Sequence, residues 1–480
     1  MKLTTEKQWF NGIEIEETYS PFAIEFIKSH GRKNIIATKT LGCKVNQYET
    51  EAIKEKFIRR GYEIVNEEDF ADVYIINTCT VTSLADKKSR QYIRRMKKLN
   101  EDSIVAVTGC YAQVSPDEVA QIEGVNIVTG TNQKGRLVEL VEQHLDSKKE
   151  TECYIQAYEQ MNEYEETGII TSMESRTRAY IKIQEGCNRF CSYCIIPYAR
   201  GNVRSRAPEE VVNEAKNLVK KGFKEIILTG INTALYGTEL NPSKEDGHTL
   251  TGIEIILHEL EQLEGDFRIR LSSLEPTVIN VEYVQRLLKY RRLCPHLHLS
   301  VQSGSDAILK AMNRRYDRNE YLDIVKTLRE SNKHYGITTD IIVGFPGESE
   351  EDFRGSLDIV EQVGFCKVHV FKYSKRQGTK AAEMKGHVAP EVKNRRSDQL
   401  IEAGNRSAEL FCQENIGSEK TVLVEEFLAD IKCFTGYTEN YMKAYILDEE
   451  GSMKSESLLN QFIKVKIEKL YRDGVLCKII

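Results

Sequence analysis

The sequence predicts an α/β protein in three parts: an N-terminal doubly wound parallel sheet, a central partial (β/α)6 barrel of TIM-like design, and a small C-terminal antiparallel β-barrel. Three observations predict it. Short apolar strands alternate with amphipathic helices from 34 to 148, the alternation resumes on a larger scale from 176, and beyond 415 only short strands and turns remain. At 480 residues the chain is too long for one ordinary domain, and 40% hydrophobic against 29% charged residues describes a globular protein. No run approaches the ~18 apolar residues of a membrane span. The N-terminus lacks the apolar stretch of a signal peptide, and its acidic residues argue against a transit peptide, so the cytoplasm is the expected location. Twelve cysteines in such a chain point to metal or redox chemistry rather than a disulfide framework. A net charge of −6 gives no global reason to expect nucleic acid; RNA contacts must come from local patches.

Residues 1–33, with Trp9, Phe10 and a helix-like stretch at 21–28, read as a packed N-terminal arm. From 34 to 148, strands are expected at 34–38, 72–77, 103–108 and 125–128, with a helix ending near Arg60. In a parallel sheet the strand C-termini share one edge, where ligands bind. Cys43, Cys79 and Cys110 each follow a strand end, so they are expected to converge there as a second metal site; the alternative is three unrelated loop thiols. The helix after Cys79 carries Lys87, Lys88, Arg90, Arg94, Arg95, Lys97 and Lys98, with Ile93, Met96 and Leu99 facing inward. Its basic face reads either as a solvated surface or as one suited to a phosphate backbone. The acid-rich segment 149–175, with Glu159, Glu163, Glu165 and Glu166, reads as a linker.

Residues 176–415 form the central part, with strands at 178–184, 224–229, 267–272, 296–302, 337–343 and 366–372 and helices such as 209–221 and 320–331 between them. In such a barrel the active groups come from the strand C-termini. Those ends carry Gly230, Asn232, Glu275, Gln302 and Gly344. The glycines allow a ligand close to the backbone, and Asn232, Glu275 and Gln302 are able to hydrogen-bond it. On the fourth strand His296, His298, Ser300 and Gln302 form one polar face. The histidines there are either satisfied internally or, for His298, used to shuttle protons.

Directly after the first of these strands stands Cys187-Asn-Arg-Phe-Cys191-Ser-Tyr193-Cys194, a C-x3-C-x2-C run. Three thiolates on a four-iron cubane leave one iron open. Zinc would need a fourth donor nearby unless it kept an open catalytic position, and buried structural cysteines are the plainest alternative. Residues 416–480 follow a long helix at 395–415 and hold strands at 421–425, 441–446, 461–467 and 474–480. Phe434, Tyr437 and Tyr441 read equally as base-stacking or core aromatics.

These stretches resemble the methylthiotransferase family of radical S-adenosylmethionine (SAM) enzymes from about 34 to 480. The resemblance lies in Thr40-Leu-Gly-Cys-Lys-Val-Asn-Gln-Tyr-Glu-Thr-Glu51, Asn77-Thr-Cys-Thr-Val-Thr82 and Glu185-Gly-Cys-Asn-Arg-Phe-Cys-Ser-Tyr-Cys-Ile-Ile-Pro-Tyr-Ala-Arg-Gly201. Phe434-Thr-Gly-Tyr-Thr-Glu-Asn-Tyr441 is similar to the family's RNA-binding TRAM barrel, and Gly42-Cys-Lys-Val-Asn-Gln47 looks most like the MtaB branch, which acts on threonylcarbamoyladenosine in tRNA. The arm 1–33 departs from the family pattern.

The resemblance implies two [4Fe-4S] clusters and SAM as cofactors. Cys187, Cys191 and Cys194 would hold the cluster that cleaves SAM, with Tyr193 beside it; Gly230, Asn232, Glu275, Gln302 and Gly344 would bind SAM. Cys43, Cys79 and Cys110 would hold an auxiliary cluster that carries the inserted sulfur. It also implies a tRNA substrate, a flavodoxin- or ferredoxin-type reductant, a sulfur donor and no membrane. Isopentenyladenosine or a ribosomal protein is the alternative substrate, and a non-catalytic iron–sulfur RNA-binding protein the alternative class.

Overall fold

The computed structural model describes residues 8–10, 12–147, 150–168, 170, 177–245, 248–447 and 458–480. The chain divides into two compact units: Met1–Ser172 with Gly186–Asn188 and Ile195–Asn202, and Met173–Glu185 with Arg189–Cys194 and Val203–Ile480. Among the described residues no helix is long and apolar enough to cross a membrane.

The first unit is built on a six-stranded parallel sheet in the order Glu63–Val65, Ile35–Thr40, Val73–Thr78, Ile104–Gly109, Ile127–Thr129, Glu152–Tyr154. Val73–Thr78 and Ile104–Gly109 are buried along their whole length, as strands covered on both faces must be. Alternate residues feed two cores: Tyr74, Ile76, Val105 and Val107 pack with Ile93 and Met96 on one face, and Val73, Ile75 and Ile104 pack with Ile53 and Phe57 on the other. Each such side chain contributes about 1.5–3 kcal/mol on burial. The edge strands Glu63–Val65 and Glu152–Tyr154, the latter inside the segment read as a linker, have three residues each, too few to show a period. In the arm, Ser20 caps the helix Pro21–His30 by accepting from the Ala23 N–H at 3.1 Å, and Ala23 and Ile27 are buried.

The second unit carries six parallel strands, Arg178–Glu185, Glu225–Gly230, Arg268–Leu271, His296–His298, Gly336–Val343 and Lys367–Lys372, and a short antiparallel strand at Arg204–Ser205. Single bridges, Ile269 to Leu293 and Leu274 to Leu299, join its two hydrogen-bonded halves into the expected partial barrel. The fourth strand is shorter than 296–302: beyond His298 only single bridges, at Leu299 and Gln302, continue it, and Gln302 adopts a left-handed φ of 67°. The helix Pro390–Glu414 leads to a closed five-stranded barrel, Glu419–Leu428, Cys433–Thr438, Lys443–Leu447, Gly474–Ile479 and Phe462–Tyr471 in that order around it. Its core includes Val422, Val424, Phe434, Ile446, Val465 and Ile467.

Phe434 is therefore a core residue, while Tyr437 and Tyr441 have another use. Tyr437 stacks on Tyr441 at 5.1 Å, and Tyr441 stacks on His296 at 4.4 Å. The guanidinium of Arg178 lies 4.8 Å from the Tyr437 ring, and that of Arg270 lies 4.8 Å from Tyr441. Arg268 donates to the Tyr437 carbonyl at 3.0 Å, and Arg178 pairs with Glu425. Arg178, Glu225, Arg268, His296 and Gly336 are each the first residue of their strands. The small barrel thus seats against the strand N-termini, the end of a β/α barrel that serves stability.

Two candidate thiol sites and the strand ends around them

In the first unit Cys43, Cys79 and Cys110 follow the ends of three adjacent strands, Ile35–Thr40, Val73–Thr78 and Ile104–Gly109. Gly42 has a φ of 109°, and a Cβ there would come within 2.7 Å of the Cys79 Cβ. Gly109 has a φ of 100°, and its Cβ would come within 2.5 Å of the Thr78 carbonyl oxygen. These glycines let the loops close on one another. Asn46 donates to the carbonyls of Leu41 at 2.7 Å and Thr78 at 3.0 Å, tying the Cys43 loop to the Cys79 loop. Cys43 is exposed at the rim, whereas Cys79 and Cys110 are buried.

The thiols influence one another. Burial pushes Cys79 up to about 12, with Cys110 and Cys43 adding to the effect and Arg200 opposing it. Sequence reasoning assigned no role to Arg200, although it lies in the quoted Tyr-Ala-Arg-Gly phrase. Arg200 donates through Nε to the Cys110 Sγ at 3.3 Å and pairs with Glu49. Lys134, also fully buried, donates to Glu49 and to Asn77 Oδ1 at 3.1 Å.

The C-x3-C-x2-C loop is anchored at both ends. Gly186 has a φ of 72°, and a Cβ there would lie 1.6 Å from the Asn202 carbonyl oxygen. The Cys187 N–H donates to the Gly201 carbonyl at 3.0 Å. In the second unit Ser192 donates its N–H to Met312 at 3.0 Å and its hydroxyl to Ala311 at 2.8 Å, while Asn313 donates to Phe190 at 3.0 Å. Burial raises Cys191, with Arg314 opposing it.

Tyr193, Asn232 and Glu275 form one network with two arginines that the sequence pattern did not single out. Glu275 accepts from Arg314 at 2.7 Å and from the Asn232 amide at 2.7 Å, and pairs with Arg189 at 3.3 Å. Arg314 also donates to the Tyr193 hydroxyl at 3.2 Å. The Asn232 N–H donates to Gln184 at 2.9 Å, and Gly230 leaves room for Gln184, whose side chain lies 3.0 Å from where a Cβ would stand. Asn232 Oδ1 and Arg314 Nε are buried without a hydrogen-bond partner, an acceptor and a donor that a ligand with an amine and a carboxylate would satisfy. Gln302 and Gly344 lie on the other half of the barrel; the Gly344 N–H is committed to Glu348 at 2.7 Å. Both ring nitrogens of His298 are engaged, by Thr338 at 2.8 Å and by Asp340 and Ser300 at 3.1 Å, whereas His296 bonds Thr338 through Nε2 at 3.2 Å.

No group of three His, Cys, Asp or Glu side chains among the described residues is arranged to hold a single metal ion. A tetrahedral zinc with sulfur at about 2.3 Å needs its thiolates only about 3.8 Å apart. A cluster, in which each thiolate binds a different iron, takes a wider set. The all-sulfur donors and the loops brought together by glycine fit such a cluster.

Residues 181–360 match the Radical SAM superfamily, and residues 35–130 match a family described as Uncharacterized protein family UPF0004. The threonylcarbamoyladenosine tRNA methylthiotransferase MtaB of Bacillus subtilis is 40% identical over 452 residues, spanning 93% of this chain and 97% of that one. The protein of the same name from Thermotoga maritima is 36% identical, with 92% and 96% covered. A tRNA-2-methylthio-N(6)-dimethylallyladenosine synthase from Alkaliphilus oremlandii is 35% identical, with 83% and 84% covered. Among solved structures, the radical SAM methyltransferase TsrM from Kitasatospora setae aligns with a TM-score of 0.54 at 15% identity, over 73% of this chain and 77% of that one. At that identity the likeness is one of fold.

Proposed function

Because the chain belongs to the radical SAM methylthiotransferase family, whose members here act on tRNA, we propose that its substrate is N6-threonylcarbamoyladenosine beside the anticodon, converted to the 2-methylthio derivative. The observation that carries the reading is 40% identity, across nearly the whole chain, to a relative named for that nucleoside. The phrase Gly42-Cys-Lys-Val-Asn-Gln47 supports the same branch.

In this reading Cys187, Cys191 and Cys194 hold one [4Fe-4S] cluster, and Cys43, Cys79 and Cys110 hold the second. When bound, the first cluster would supply one-electron reduction of SAM, and the second would supply a site for the sulfur to be inserted. The chain's own residues bind and orient. Asn232 Oδ1 would accept from the SAM amine, and Arg314, held by Glu275, would offer Nε to its carboxylate. The hydrogen bonds from Ser192 and Asn313 fix the thiol loop against residues 311–313, so the loop keeps one geometry. Gln302 and Gly344 line the remaining strand ends.

For the tRNA partner, the helix Ser83–Leu99 offers Lys87, Lys88, Arg94 and Lys98 on its exposed side, whereas Arg90 pairs with Glu118, Arg95 with Glu68, and Lys97 with the Ser103 carbonyl. Lys87, Arg94 and Lys98 recur at helical spacing on one stripe, which matches a phosphate backbone. A flavodoxin- or ferredoxin-type reductant and a sulfur donor complete the reaction, in the cytoplasm.

Mass spectrometry of tRNA nucleosides from a strain lacking the protein tests the substrate. The 2-methylthio form of threonylcarbamoyladenosine should vanish and return on complementation. Loss of the isopentenyladenosine derivative instead would move the protein to the other branch, and an unchanged profile would remove the reading.

A further inference from the structure

Arg200 ends the short helix Ile196–Arg200, six residues after Cys194 in sequence, and is 0% exposed. Its donors divide between two kinds of partner. Nη1 and Nη2 both reach Glu49, with Nη2 also donating to Asn46 Oδ1 at 2.6 Å, while Nε is left to point at the Cys110 sulfur at 3.3 Å. Asn46 in turn holds the carbonyls of Leu41 and Thr78, the residues that lead into Cys43 and Cys79. One hydrogen-bond network therefore runs from Arg200 to all three cysteine loops.

A brace for Glu49 alone would not need this arrangement. Lys134 already donates to Glu49 inside the same core, and burying a further charge costs more than an apolar side chain of similar size would. The planar fork is what matters: its two terminal nitrogens engage a carboxylate while the third N–H keeps a fixed direction, which a lysine cannot do. A fixed N–H and a positive charge against a thiolate ligand favour the more anionic state of whatever that thiolate binds, and hydrogen bonds to cluster sulfurs set reduction potentials in this way.

We propose that Arg200, clamped by Glu49 and Asn46, is a positioning residue of the Cys43, Cys79 and Cys110 site that holds Cys110 in place and raises the reduction potential of the cluster bound there. The proposal rests on the reading of those three cysteines as cluster ligands. It assigns to the end of the SAM loop's own sequence segment a role at the other thiol site.

The test uses the full chain with Cys187, Cys191 and Cys194 replaced by Ala, so that only the second site takes iron. That protein binding no cluster would refute the ligand reading itself, separately from the role of Arg200. With a cluster present, redox titration followed by electron paramagnetic resonance is compared for Arg200→Gln, Arg200→Lys and the double change Arg200→Gln with Glu49→Gln, which removes one charge of each sign. At a fixed potential, the ratio of reduced to oxidised cluster should fall about tenfold in both Gln variants, a midpoint lower by about 59 mV for one electron, and less in the Lys variant. If the single Gln variant misfolds, the double variant decides. Loss of iron from a chain with native circular dichroism supports positioning. Full iron with an unmoved midpoint and an unchanged spectrum would reduce Arg200 to a structural brace.

Discussion

Gly42 and Cys79 stand so close that the glycine's missing Cβ would lie 2.7 Å from the Cys79 Cβ and 2.9 Å from its sulfur. No side chain fits between them, and the φ of 109° at Gly42 strains any other residue by about 1–3 kcal/mol. Gly42→Ala should push Cys79 away from Cys43 and Cys110 while leaving the C-x3-C-x2-C loop intact. Reconstituted protein is expected to keep about half its iron and still release 5′-deoxyadenosine from SAM, but to make no methylthiolated nucleoside. Full iron content would show that Cys79 is not a ligand.

Glu275 accepts from Arg314 and Asn232 and pairs with Arg189, so its charge organises the strand ends of the second unit. Glu275→Gln leaves two partly buried guanidiniums without their anion. SAM affinity, measured by anaerobic equilibrium dialysis, should weaken at least about tenfold, about 1.4 kcal/mol. Unaltered affinity would mark the network as structural only.

Where the small barrel seats, Arg270 and Arg268 hold the Glu225 carboxyl well below its usual range against the opposing effect of burial. A group whose folded value is depressed stabilises the protein above its unfolded value, about 4.3 for Glu, and that stability is lost as pH falls toward the folded value. Glu225→Gln should therefore destabilise the fold by about 3–5 kcal/mol at neutral pH, with the difference shrinking below about pH 4. Thermal melts across pH read this directly.

The stripe Lys87, Arg94 and Lys98 gives a prediction read in salt. Lys87→Glu and Arg94→Glu should each lower the slope of log tRNA affinity against log salt by about one phosphate contact, with SAM cleavage and iron content unchanged. An unaffected slope would return this face to ordinary solvation, or leave it to an acidic reductant if electron delivery slows instead.

The strands of both sheets were legible because runs such as Val73–Thr78 and Gly336–Val343 are long enough to show their apolar pattern. The cysteines were legible because topology fixes where strand ends go: Cys43, Cys79 and Cys110 needed only the order of their strands. Arg200, Arg189 and Arg314 were not, since nothing local separates a buried arginine from a surface one, and Arg314 meets its partners across the fold. The strand Cys433–Thr438 was missed because Gly436 interrupts it, a glycine required where a Cβ would come 1.9 Å from the Leu423 carbonyl oxygen. Tyr437 and Tyr441 look the same in sequence whether they stack on a base or, as here, on arginine and histidine.

That seating makes the second unit a ruler. The strand Arg178–Glu185 has its first residue under the small barrel and its last at the edge where the thiol loop begins. Eight residues at about 3.3 Å each span about 26 Å. An RNA that presents a base to the strand C-termini and also touches the barrel must reach around that length, so a free nucleoside or a short loop fragment engages one end only. A substrate would then be accepted for the stem beneath its modified base as much as for the base itself.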